Sequence, residues 1–193
     1  MRIAVMASGN GSNFEAIVQA ANLGGIQGEI ALLFCDQKKA YVLERSQKLN
    51  VPSVQFSPKD FLSKADYERA LKDLFLEHQI DLIILAGYMR IIGPTLLKAF
   101  PKRMINIHPS LLPSFPGLHG IQESYDYGVK VTGITIHYID EGVDTGPIIM
   151  QATVDVSPLK TVEEWEEKIH QLEHVVYPKV IGDIVKKLLT NEE

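Results

Sequence analysis

Apolar runs and helical periodicities alternate along the first half of the chain. Ile3 to Ala7 reads as a strand, and the turn after it opens a helix carrying Phe14, Ile17, Val18 and Ala21, with Ser12 or Asn13 as its cap. Ile30 to Phe34 is a second strand, followed by a predicted helix over 40–49 with Val42, Leu43 and Leu49 inward. A short strand around Val54 precedes a helix predicted over 59–78, where Phe61, Leu71, Leu74 and Phe75 fit helical spacing. Leu82 to Leu85 is apolar on both faces, as a central parallel strand must be. A short helix over 95–100 then leads to a strand at Met104. This alternation predicts a parallel sheet covered on both faces through right-handed crossovers.

Beyond His108 the pattern changes. Residues 131–138 alternate with period two, and 147–154 form a second strand-like run. The loop between them is rich in acids and glycine, so the two strands are expected to pair antiparallel at the sheet edge. From Thr161 a helix carries Trp165, Ile169, Leu172 and Val176 on one stripe, and Pro178 is expected to kink or restart it. The expected class is α/β: a mostly parallel central sheet, helices on both faces, and antiparallel edge strands after residue 130. Without a repeat or linker, residues 1–193 are expected to form one domain.

Composition narrows the function classes. The chain is 46% hydrophobic and 22% charged, with a formal net charge of -5, so no clustered Lys and Arg prepare it for nucleic acid. No apolar run is long enough to cross a membrane, and the N-terminus reads as a strand without a leader, which predicts a cytoplasmic protein. The single cysteine, Cys35, lies in an apolar run and is expected in the core. The six histidines show no metal-ligand spacing, so no metal is predicted. Small-molecule substrates are the expected partners, with the protein as monomer or homodimer.

Two stretches carry candidate chemistry. Residues 7–13, Ala-Ser-Gly-Asn-Gly-Ser-Asn, lie between a strand and a helix, where glycines and a helix N-terminus suit a phosphate. A third glycine of the dinucleotide fingerprint is missing, since Phe14 stands there, yet Asp36 could serve as a ribose-binding acid. A nucleotide-binding module therefore stays open, as does a plain tight turn. The second stretch, 104–117, brings Asn106 and His108 to a strand end and then locks the exit with prolines. Both side chains share a face. With Asp144 from the acidic loop they would make a neutral oxyanion donor, a proton-exchanging group and a carboxylate that stabilises the imidazolium. No Ser or Cys nucleophile completes a triad, which points to acyl transfer with a nucleophile supplied by the substrate. The bland alternatives are a satisfied strand-end His108, a turn-forming Asp144 and a packed His137.

Ser8-Gly9-Asn10-Gly11-Ser12-Asn13, Leu85-Ala86-Gly87-Tyr88-Met89-Arg90, Asn106-Ile107-His108-Pro109-Ser110-Leu111-Leu112-Pro113 and Asp140-Glu141-Gly142-Val143-Asp144-Thr145-Gly146-Pro147 resemble the phosphoribosylglycinamide formyltransferase family. The similarity runs from about residue 2 to residue 180. It implies a Rossmann-like formyltransferase fold acting with 10-formyltetrahydrofolate as co-substrate in purine biosynthesis. It implies Asn106, His108 and Asp144 as the catalytic trio, and Gly11, Ser12, Asn13 and Glu173 as the site of the glycinamide ribonucleotide. It further implies that Met89, Arg90, Ile91 and Ile92, with Asn106 and the loop Asp140, Glu141, Gly142, Val143 and Asp144, hold the folate. Lys64 stands where the family carries an Arg on the folate side, keeping the charge but losing the fork. A formyltetrahydrofolate hydrolase, using the same trio with water, is the neighbouring alternative.

Overall fold

The computed structural model describes residues 1–190; residues 191–193 of the expected domain lie outside that description. Seven strands form one sheet in the order β3-β2-β1-β4-β5-β6-β7. The strands are β1 (Arg2–Ala7), β2 (Glu29–Cys35), β3 (Ser53–Gln55), β4 (Leu82–Leu85), β5 (Met104–His108), β6 (Val131–Tyr138) and β7 (Ile148–Asp155). Strands β1 to β5 pair in parallel, and β6 and β7 add antiparallel at one edge, as the alternating pattern after residue 130 predicts.

The continuous apolar strands bury both faces. On one side Ile3, Val5 and Ala7 pack with Phe14, Ile17 and Val18 of α1 (Ser12–Asn22) and with Ile169, Tyr177 and Ile181 of α6 (Val162–Thr190). On the other, Ala4 and Met6 pack with Tyr67, Leu71 and Phe75 of α3 (Lys64–Glu77) and Leu96 of α4 (Pro94–Ala99). Tyr177 seats α6 on the sheet, because its hydroxyl donates to the carbonyls of Leu85 and Ile105 on adjacent strands at 2.9 and 3.3 Å.

Several expectations change. The helix predicted over 59–78 begins at Lys64; Ser57 caps a separate 3₁₀ turn, Pro58–Asp60, and Ser63 caps α3, so Phe61 precedes the helix. The helix predicted over 40–49 is the shorter α2, Val42–Lys48, and Gly11, not Ser12 or Asn13, is the N-cap of α1. A helix the hydrophobic pattern did not signal, α5 (Gly120–Tyr127), follows the proline loop; its buried positions are Gly120 and Ser124, too small and polar to register. Finally, α6 runs through Pro178 as one helix, and its most buried line is Trp165, Ile169, Glu173 and Tyr177, one position beyond Leu172 and Val176.

Candidate active site

Because β5 stops at His108, Asn106 and His108 reach a cavity of about 830 Å³ beyond the carboxyl edge of the sheet. The antiparallel register puts His137 of β6 opposite Asn106, and Thr135 opposite His108. His137 Nδ1 lies 2.8 Å from the Tyr138 carbonyl oxygen. A carbonyl only accepts, so Nδ1 carries the hydrogen, and Nε2 receives one Asn106 amide hydrogen across 3.3 Å. That leaves the second Asn106 N–H for the cavity. The same logic orients His108: its Nε2 donates to the Phe115 carbonyl at 2.7 Å, leaving Nδ1, 3.4 Å from Asp144 Oδ2, as the nitrogen that exchanges a proton.

Asp144 takes a left-handed backbone conformation, φ 55°, that Asp tolerates better than most residues. Its Oδ2 accepts from the Gly117 amide at 2.8 Å, and its Oδ1 lies 3.6 Å from His137 Nε2. Burial opposes its charge, but the Gly117 amide hydrogen bond and nearby His108 outweigh it and hold the carboxyl below its usual range. Ser110 is no nucleophile here, since its hydroxyl donates to the carbonyls of Ser114 and Phe115, and Cys35 is fully buried in the core.

The loop after His108 is braced by more than its prolines. Thr135 Oγ1 donates to the Ser110 carbonyl at 2.7 Å and accepts from the Leu112 amide at 3.0 Å, while Gln151 donates to the Leu112 carbonyl at 2.9 Å. Gly120 of α5 leaves room for the His108 ring, which a Cβ there would touch at 3.0 Å.

At one end of the cavity lies the turn from β1 to α1. Gly11 has φ 80°, and any side chain there would collide with Val42, so glycine is required twice over. Arg45 braces the turn by donating to the Asn10 carbonyl and side-chain oxygen at 2.9 and 2.8 Å. Asn13 donates to Glu173 Oε2 at 2.8 Å, joining residues 160 positions apart. Glu173 is 5% exposed, and burial pushes its carboxyl up, against the Asn13 bond and nearby His170. Gly11, Ser12, Asn13 and Glu173 all line the cavity, with His170 and His174 beside them.

At the other end, Met89, Arg90, Ile91, Ile92, Asp140, Gly142 and Val143 line the cavity. Met89, Ile91, Leu118 and Val143 form an apolar rim, each about half exposed or more, an arrangement suited to a flat apolar ligand. The 140–145 loop braces itself, because Asp140 Oδ1 accepts from the Gly142 amide at 3.0 Å and from Thr145 Oγ1 at 2.7 Å. Two expected folate residues are not brought into the lining. Lys64 starts α3 exposed, its Nζ 3.7 Å from Glu68, and Glu141 is exposed on the loop. Both sit on segments whose inward positions belong to neighbours, Tyr67 and Glu68 in the helix and Asp144 in the loop. Asp36 is not open to a ribose: it is 2% exposed and its oxygens are taken by Ser8, Gln37 and Arg90.

Some contributors escaped the pattern. His137 was expected to be packed, and it is buried, yet it also touches Asn106 and Asp144. Its strand alternation signalled an inward side chain; only the register shows which neighbours it meets. Arg45, Thr135 and Gln151 carried no signal beyond their polarity.

A parallel sheet whose carboxyl edge gathers Asn, His and Asp between an anion-suited turn and an apolar rim is the architecture of a group-transfer enzyme. The chain belongs to the formyl transferase family, whose model matches residues 1–181. It is 49% identical over 184 residues to the phosphoribosylglycinamide formyltransferase of Bacillus subtilis, covering 95% of this chain and 94% of that one. The crystal structure of phosphoribosylglycinamide formyltransferase from Bacillus halodurans superposes with a TM-score of 0.94 at 47% identity, covering 97% of each chain. Glycinamide ribonucleotide transformylase 1 from Geobacillus kaustophilus gives 0.92 at 52% identity, covering 95% of this chain and 98% of that one.

Proposed function

We propose that the protein transfers the formyl group of 10-formyltetrahydrofolate to the amine of 5-phosphoribosylglycinamide, a step of purine biosynthesis in the cytoplasm. The observation that carries this reading is that one cavity joins the 11–13 turn, the apolar 89–92 wall and the Asn106, His108 and Asp144 cluster between them. The whole chain would act as one formyltransferase domain, a reading supported by the single sheet.

In this reading the acceptor's phosphate meets the amides of the 11–13 turn, where the N-terminus of α1 favours an anion. Glu173, held by Asn13, receives the acceptor's hydroxyls. The pterin lies against Met89, Ile91, Ile92 and Val143, with backbone groups of the wall and of the Asp140 loop supplying polar contacts. The amine nitrogen attacks the formyl carbon, so a C–N bond forms and the carbonyl π pair moves onto oxygen. The free Asn106 N–H and His108 Nδ1–H donate to that oxyanion, and Asp144 keeps the imidazolium in place. Collapse breaks the bond to the folate nitrogen, which receives the proton that the amine gives up.

Following deformylation of 10-formyltetrahydrofolate optically, with and without glycinamide ribonucleotide, tests the proposal. Deformylation that requires the acceptor and yields the formylated ribonucleotide is expected. Equal deformylation without it would identify a hydrolase instead.

A further inference from the structure

The wall from Gly87 to Arg90 is anchored residue by residue. The Gly87 carbonyl accepts from the Ser8 amide at 3.0 Å. The Tyr88 hydroxyl is 2.6 Å from that of Tyr67, both buried. The Met89 amide donates to Ser8 Oγ at 3.0 Å, and Arg90 Nε donates to Asp36 Oδ2. Two of these anchors converge, because Ser8 Oγ spends its own hydrogen on Asp36 Oδ1 at 2.6 Å. Asp36, at the end of β2, is almost fully buried, so its charge must be answered by its partners. One carboxylate thereby holds the Arg90 guanidinium directly and the Met89 amide through a hydroxyl whose hydrogen it fixes.

We propose that Asp36 is a positioning residue for the formyl donor, holding the Gly87 to Arg90 wall in the one conformation that receives the folate ring. Asp36 does not line the cavity, so its effect passes through Ser8 and Arg90. Residues 11–13 of the acceptor turn have a second brace next to them, because Arg45 holds Asn10 and does not touch Asp36. A pre-set wall avoids an ordering cost on binding, and losing the hub returns that cost to the donor alone. The inference rests on the formyltransferase reading.

The test compares Asp36→Ala, Asp36→Asn and Ser8→Ala with the unaltered protein. KM is measured for each substrate, and tetrahydrofolate binding by calorimetry. Asp36→Ala is expected to raise the folate KM and the tetrahydrofolate Kd about tenfold while the acceptor KM moves less than about twofold. Asp36→Asn keeps one accepting oxygen and is expected to recover part of the loss. Ser8→Ala removes a single hydroxyl and is expected to cost about threefold, again on the folate side, so it decides the matter if Asp36→Ala does not fold. Unchanged folate affinity in these variants, or equal losses for both substrates, overturns the role of Asp36. If the unaltered protein turns over neither substrate, it is the formyltransferase reading that fails.

Discussion

The turn at residues 11–13 and the wall at residues 89–92 face one cavity but handle their polar groups in opposite ways. The turn is closed from behind by Val42 and Arg45, and its carboxylate, Glu173, comes from a helix 160 residues away and is buried. The wall exposes Met89 and Ile91 to solvent and hides its polar anchors, Ser8 and Asp36, behind it. In the proposed function the first plan would present polar groups to an anion, and it leaves no room for a side chain at Gly11. The second would present apolar surface to a ring. Between them the carboxylates carry opposite shifts: Asp144 is held low by its partners and Glu173 is pushed up by burial.

The largest expected effects lie where the two ends meet. His108→Ala and Asp144→Asn should each lower turnover by about a thousandfold or more, while calorimetry still registers folate binding. Asn106→Ala should cost about 3 kcal/mol of transition-state stabilisation, read as a fall in kcat. A change confined to KM would remove Asn106 from the oxyanion role.

Gly11→Ala probes the turn. Its left-handed φ and Val42 together make a side chain there cost about 1–3 kcal/mol in stability, read by thermal melting. The acceptor KM should rise about tenfold with the folate KM nearly unchanged. An equal rise in both would dissolve the distinction between the two ends.

The two carboxylates should also separate by pH. For Asp144 the folded value lies below the unfolded one, so its contribution is full above the unfolded value and is lost as pH falls through the folded value. Glu173 has the reverse sign: its folded value lies above the unfolded one, so ionisation opposes folding, and stability rises as pH falls through the folded value. Glu173→Gln should therefore raise Tm by a few degrees at neutral pH, a gain that disappears in acid, while weakening acceptor binding. Asp144→Asn should lower Tm at neutral pH, a loss that shrinks below about pH 4. Melting curves at both pH values check the signs. The smallest effect belongs to the rim, where Met89→Ala should shift stability by no more than about 0.5 kcal/mol. Folate affinity should nevertheless weaken severalfold.

Much of this molecule is written in local pattern. The runs at Ile3, Ile30, Leu82 and Met104 could only be buried parallel strands, and their carboxyl ends located the 8–13 turn, the 87–90 segment and the Asn106–His108 pair on one edge. The same logic failed for α5, whose inward residues are Gly120 and Ser124, because a helix that packs by being small leaves no hydrophobic period. The Lys64 expectation came from the family resemblance and from no local pattern; Lys64 opens α3 exposed, 3.7 Å from Glu68.

Residue types and their spacing thus determined the sheet and the edge to which Asn106 and His108 come, because strand and helix periods are local properties of the chain. The tertiary structure decided the rest: His137 beside Asn106, Glu173 on Asn13, and Asp36 beneath Arg90 instead of open to a ribose. Those pairings depend on strand register and on which helix crosses which strand end. The free energy of packing the whole core sets both, and no short stretch of sequence contains it.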